Sequence, residues 1–93
     1  MPDFISSPTV TPGQWISVGE NRVLDAVVCV VRDSRSLCEV VYLDDRNRAI
    51  NEDVAWTGQS WDFVQPGVRG GYADKYDRLR EFVAILHRGR VGL

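Results

Sequence analysis

Apolar positions follow a two-residue period along most of the chain and change to a spacing of three and four only near its end. Trp15 to Val18 alternates apolar and polar and predicts a short strand, followed by a turn at Gly19, Glu20 and Asn21. Val23 to Arg32 and Leu37 to Leu43 are dense in β-branched residues, with Asp33-Ser34-Arg35-Ser36 between them as a hairpin loop. A turn centred on Ser34 and Arg35 places Val27, Cys29 and Val31 on one face with Cys38, Val40 and Tyr42, and that face is wholly apolar. The opposite face, Ala26, Val28, Val30 and Arg32 beside Leu37, Glu39, Val41 and Leu43, is largely apolar as well. A sheet with one face in water would not read this way. Strands bent round a core, plus the later helix or a second subunit, would cover both faces.

After a polar turn at Asp44 to Asn47, Arg48 to Trp56 reads as a strand interrupted at Asn51, Glu52 and Asp53. Trp56-Thr57-Gly58-Gln59-Ser60-Trp61 reads as a tight hairpin. Glycine at its first central position fits a type II′ turn, which sets Trp56 opposite Trp61 and Val54 opposite Phe63. Pro66 and Gly67 end the strand run, and Arg69-Gly70-Gly71 forms a link. A helix is expected over about residues 75–88, with Asp74 as N-cap and Gly89 just past the end. Tyr76, Leu79, Phe82, Val83 and Leu86 form its apolar stripe, and Ile85 falls outside that stripe, which points to a contact beyond the domain. Residues 1–13, with Pro2, Pro8, Pro12 and Gly13, read as an extended N-terminal arm. The expected fold is therefore mainly β with one C-terminal α-helix: a small five-stranded antiparallel barrel or rolled sheet forming one domain over residues 14–93.

The order strand, long hairpin, strand, tight hairpin, helix resembles the small SH3-like barrels. Within it, Glu39-Val40-Val41-Tyr42-Leu43-Asp44 followed by Ile50 and Asp53-Val54 is similar to a Tudor or chromo-barrel core, over about residues 13–63. In Tudor domains an aromatic near the turn after the third strand helps to form a cage for a methylated lysine or arginine. Asp45 stands at that place here, so the resemblance implies the barrel and departs from the cage.

With 93 residues, 44% of them hydrophobic and 26% charged, the chain can build one core and needs neither metal nor disulfide to fold. No apolar run approaches a membrane span, and the start MPDFISSPTVTPG has neither a basic segment nor a continuous apolar one, so a cytoplasmic protein is expected. Two cysteines, Cys29 and Cys38, fit free thiols there. Lying diagonally on the same face in the expected register, they are poorly placed for a disulfide. Net charge is −2, spread unevenly: residues 1–62 carry five Arg against ten Asp or Glu, and residues 63–93 carry six Lys or Arg against three.

Cys29, Cys38 and His87 lack the spacing of a zinc site, and no phosphate loop or nucleophile motif is present, so no cofactor, metal or catalytic residue is expected. His87 in the last helical turn suits the helix dipole better than proton transfer. Asp44, Asp45, Glu52 and Asp53 cluster around two turns, where such residues ordinarily sit, and as a set they would present an acidic edge. Trp15, Trp56 and Trp61 with Tyr42 and Phe63 pack a core or line a groove for a peptide or a base. Arg69, Lys75, Arg78, Arg80, Arg88 and Arg90 would suit an acidic partner, although a pI near 5.2 is far from that of most nucleic-acid binders.

The reading that follows is a non-enzymatic protein-interaction or scaffolding module, with a homodimer as one form of it and Trp15, Tyr42, Trp56, Trp61, Arg78 and Ile85 as its candidate binding residues. Two alternatives stand beside it. One is a nucleic-acid-binding small barrel using Arg-rich loops and an exposed tryptophan, and the other is a small oligomeric enzyme with a site between subunits.

Overall fold

In the computed structural model the residues described are 9–19, 24–32, 36–64 and 71–90. Five strands follow in order: β1 (Trp15–Val18), β2 (Leu24–Val31), β3 (Leu37–Leu43), β4 (Ala49–Trp56) and β5 (Trp61–Phe63). Each pairs antiparallel with the next, and β5 returns to β1 to close a barrel. The closing pair, Val18 with Trp61, is parallel. The barrel is therefore mixed, where an all-antiparallel one was expected. Parity is the reason: in an up-and-down meander of five strands the first and last run the same way, so closure can only be parallel. The architecture is consistent with the SH3-like small barrels.

Strand β4 runs unbroken through Asn51, Glu52 and Asp53. The expected interruption is absent because these polar side chains find partners on either side of the sheet: Asn51 and Glu39, Asp53 and Arg32, Glu52 and Tyr42. The β4–β5 hairpin has the expected register, with Trp56 opposite Trp61 and Val54 opposite Phe63. Gly58 adopts φ +105°, which a side chain would strain, and the two indoles meet edge to face at 5.4 Å.

The β2–β3 pair departs from its expected register at one place. Val30 faces Glu39 and Val31 faces Cys38 as expected, but a bulge at Cys29 makes Val28 face Val40 and Val27 face Val41. One extra residue reverses which way everything before it points. Val28 therefore joins Cys38, Val40 and Tyr42 in the interior, while Val27 and Cys29 pack outside with Val41. The two cysteines, expected on one face, lie on opposite faces of the sheet.

Two hydrophobic clusters result. The inner one holds Val10, Ile16, Val18, Ala26, Val28, Cys38, Val40, Tyr42, Ile50, Val54 and Trp61. Val10 is 5% exposed, and the Gly13 N–H donates to the Val28 carbonyl at 2.7 Å, so residues 9–13 of the expected arm join the barrel. Residues 1–8 lie outside the described part.

The outer cluster joins Val27, Cys29, Val41 and Ala49 to the C-terminal segment through Ala73, Leu79 and Leu86. That segment is not one helix from residue 75. Two 3₁₀ turns, Ala73–Lys75 and Asp77–Leu79, flank an extended Tyr76 (φ −109°, ψ 120°), and α1 spans Arg80–Arg88. Asp74 does not cap a helix; its carboxylate pairs with Arg48 on the barrel. Gly89 ends α1 at φ +89°, its N–H shared between the Ile85 and Leu86 carbonyls. The second apolar face of the central hairpin is thus covered by the chain's own helix. Among the described residues no helix is long and apolar enough to cross a membrane.

Candidate functional site

Alternation along β3 sends Glu39 to the outer face, where it is only 3% exposed beneath the 3₁₀ turn Asp77–Leu79. A carboxylate there requires donors. Arg78 supplies two, Nη1 to Oε1 at 2.8 Å and Nη2 to Oε2 at 3.0 Å, and Asn51 Nδ2 adds a third at 2.9 Å. Arg32 stands 3.6 Å away. The Arg78 hydrogen bonds hold the Glu39 carboxyl below the usual carboxylate range against the opposing effect of burial, and the same pairing raises Arg78. The fork is bidentate, a geometry that lysine cannot reproduce.

A second carboxylate lies inside the barrel. Glu52 is 8% exposed and accepts the Tyr42 hydroxyl at 2.6 Å. Burial, and after it the Glu52 carboxylate, push the Tyr42 phenol well above its ordinary value. The Tyr42 ring also packs against Phe63 at 5.3 Å. Glu52 is accordingly an interior residue and no member of the acidic edge.

Above Tyr42, at the end of the barrel where β2 begins and β3 turns into β4, an open groove of about 700 Å³ is lined by Leu24, Tyr42, Ile50, Tyr72 and Leu43. Charged walls flank it: Asp44, Asp45 and Arg46 from the turn, and Lys75 from the C-terminal segment. Asp44 Oδ1 accepts the Arg46 and Arg48 N–H groups at 2.9 Å each, and Asn47 takes φ +64°, so the turn is locked by its own residues. Asp45 is exposed and pairs with no charged side chain among the described residues. Tyr72 is held by an isolated bridge to Ile50, and the Arg48 guanidinium lies 3.8 Å from its ring centroid while also reaching Asp74 at 3.2 Å.

The sequence-derived candidates are dispersed through the fold rather than gathered. Trp15 is half-buried against the outer cluster, Trp61 is 4% exposed inside the barrel, and Trp56 packs half-buried on the inner cluster. Ile85 packs on the outer cluster, and Arg78 is engaged by Glu39. Tyr42 alone of the six lines the groove. Tyr72 and Leu24 were not legible as site residues, since Tyr72 sits where no period holds and Leu24 reads as an ordinary strand position, while Lys75 reads in the sequence only as one of a basic set for an acidic partner. Glu39 did carry a signal, as the lone carboxylate in an otherwise apolar strand.

Other reactive groups are quiet. Burial pushes the Cys29 thiol up to about 12 and the Cys38 thiol up to about 11, far from thiolate at neutral pH. His87 is exposed in the last turn of α1. Among the described residues no three His, Cys, Asp or Glu side chains converge as a metal site. Most described arginines are committed to carboxylates: Arg32 to Asp53, Arg48 to Asp74, Arg78 to Glu39, Arg80 to Asp77 and Arg90 to Asp25.

The fold and groove define a small closed β-barrel with a docked C-terminal helix. Comparison with protein-family models, with curated proteins and with solved structures finds no match to this chain.

Proposed function

We propose that this barrel is a non-enzymatic protein-interaction module that seats an arginine-bearing extended peptide in the groove between Tyr42, Tyr72 and the Asp44–Asp45 turn. The observation that carries this reading is the Arg48 arrangement on the groove's own Tyr72. There a guanidinium lies over the aromatic ring at 3.8 Å and pairs with a carboxylate at 3.2 Å. The groove's lining holds the same two kinds of group, the tyrosines Tyr42 and Tyr72 and the exposed carboxylate of Asp45. Aromatic faces attract cations, and carboxylates accept the N–H fork of an arginine. Residues 1–62, which supply most of the groove, carry five Arg against ten Asp or Glu, so the field there favours a basic partner.

The Tudor and chromo-barrel resemblance suggests a methylated cation at this end of the barrel. A carboxylate in place of the cage aromatic suits a guanidinium with its N–H groups intact better than a methylated one, because methylation removes donors. The buried thiols with raised pKa, and the two buried glutamates already bonded to Arg78 and Tyr42, support binding over catalysis.

The test is a titration of isotope-labelled full chain with a short extended peptide carrying one arginine, beside its norleucine analogue. Amide shifts are expected around Asp44–Arg48 and Gly71–Lys75 for the first peptide only, with binding weakened about tenfold by Asp45→Lys. Shifts that are absent, or equal for both peptides, overturn the reading. A nucleic-acid interface is the second reading; an oligonucleotide binding with steep salt dependence would favour it.

A further inference from the structure

The C-terminal segment brings five charged side chains between residues 74 and 80, and four of them are taken. Asp74 pairs with Arg48 at 3.2 Å, Asp77 with Arg80 at 2.9 Å, and Arg78 with Glu39 at 2.8 Å. Lys75 is the fifth: it is exposed, lines the groove and makes no ion pair among the described residues. The turn that also lines the groove has the opposite remainder. Asp44 is occupied by the Arg46 and Arg48 N–H groups, while Asp45 pairs with no cation among the described residues. Arg46 stands on the same turn without an ion pair there, so two carboxylates against one guanidinium leave that wall negative.

Lys75 and Asp45 border one groove without closing on each other, and between them the floor is apolar: Leu24, Tyr42, Ile50 and Tyr72. An occupant that completes both walls therefore carries a cation and an anion, separated by a stretch that can lie on apolar surface. The anion is a carboxylate rather than a phosphate. Lys75 offers one point charge, and the neighbouring Asp74 and Asp77 disfavour a dianion. There is room for it at this wall, since a Cβ on Gly71 would meet no atom within 4 Å. A volume of about 700 Å³ falls in the range of small-ligand sites and takes a few residues of extended chain, not a folded surface.

We propose that Lys75 determines the specificity of this groove, which accepts an extended peptide in which arginine is followed directly by an acidic residue. The proposal rests on the arginine-peptide reading and adds the second charge to it. Successive side chains of an extended chain point to opposite sides. A peptide running along the groove thus sends its arginine to Asp45 and the next side chain to Lys75. An acidic residue two positions from the arginine points to the same wall as the arginine, where Asp44 and Asp45 repel it. The spacing as well as the composition of the partner is therefore selected.

Three peptides that differ at one or two positions test this against the full chain at low ionic strength, where such pairs are least screened. The first carries arginine then glutamate, the second arginine then glutamine, and the third arginine, alanine, glutamate. The first is expected to bind about fivefold tighter than the second, the range of an exposed ion pair, and the third no tighter than the second. A fourth peptide, arginine then lysine, is read against Lys75→Glu. The turn at Lys75 is held by its backbone N–H on the Tyr72 carbonyl, so this exchange leaves the fold intact. In the variant the order of preference is expected to invert, with the arginine–lysine peptide ahead of the arginine–glutamate one.

Equal binding of the first two peptides, or a preference that Lys75→Glu does not invert, overturns the role of Lys75 while leaving the arginine reading in place. Binding of the third peptide as tight as the first overturns the spacing and with it the proposal. Failure of every peptide to bind overturns both readings.

Discussion

The Tyr42 hydroxyl donates to Glu52 Oε2 at 2.6 Å, although the strand register sets Tyr42 opposite Ile50 and Glu52 opposite Val40. The pair is therefore a diagonal contact on the interior face of the β3–β4 ladder, within reach of long side chains. It ties the floor of the groove to the barrel core.

Removing one partner from this pair leaves the other buried without its bond. Tyr42→Phe is expected to destabilise the chain by about 1–3 kcal/mol, the cost of stranding a buried acceptor. Urea denaturation measures it. The double variant Tyr42→Phe with Glu52→Met, which removes both polar groups, should recover most of the loss.

The same bond predicts an alkaline signature. The Tyr42 pKa is raised in the folded chain, first by burial and then by Glu52, so the unfolded chain loses this proton first as pH rises. The stabilising contribution is complete below about pH 10, the ordinary tyrosine value, and declines above it. A tyrosinate absorbance titration should show one of the three tyrosines resisting ionisation until the chain unfolds, and Tyr42→Phe should abolish that delayed step.

Acid acts through the other buried glutamate. Glu39 is held below its ordinary value chiefly by the Arg78 hydrogen bonds, so the unfolded chain takes up this proton first as pH falls. Its contribution is present above about pH 4.3 and is lost as pH drops through the folded value. Urea midpoints measured between about pH 2 and 6 should fall steeply on the acid side in the native chain, and less steeply in Glu39→Gln, which starts from a lower plateau.

Thiol chemistry tests the bulge at Cys29. With Cys29 outside the sheet beneath the helix and Cys38 within the barrel, both buried, neither is expected to react with a disulfide reagent until the chain opens. Mild oxidation should yield no internal disulfide. Arg78→Glu, which loosens the helix, should expose Cys29 to reagent before Cys38.

Much of the barrel was readable along the chain because its signals are local. Gly58 between two tryptophans announces a tight turn, and the turn alone sets Trp56 against Trp61. Gly89 likewise marks the end of the helix that it closes. The helix start was misplaced because Asp74 has the right chemistry for a cap, yet a barrel residue, Arg48, claims its carboxylate. Polar residues in β4 suggested a break for a related reason: their partners Glu39, Arg32 and Tyr42 belong to other strands or to a strand end. The groove was nearly invisible, since Leu24, Tyr42 and Tyr72 meet only when three distant segments arrive at one end of the barrel.

The two apolar faces of the β2–β3 hairpin were determined by the sequence itself, because β-branched residues at consecutive positions leave neither side fit for water. Which residues occupy which face was decided only in the tertiary structure, where the bulge at Cys29 reverses half of one strand. Coverage of the outer face was decided there too. A strand pattern states that an apolar surface must be buried, but only the folded chain, by bringing Arg78 onto Glu39, selects the segment that buries it.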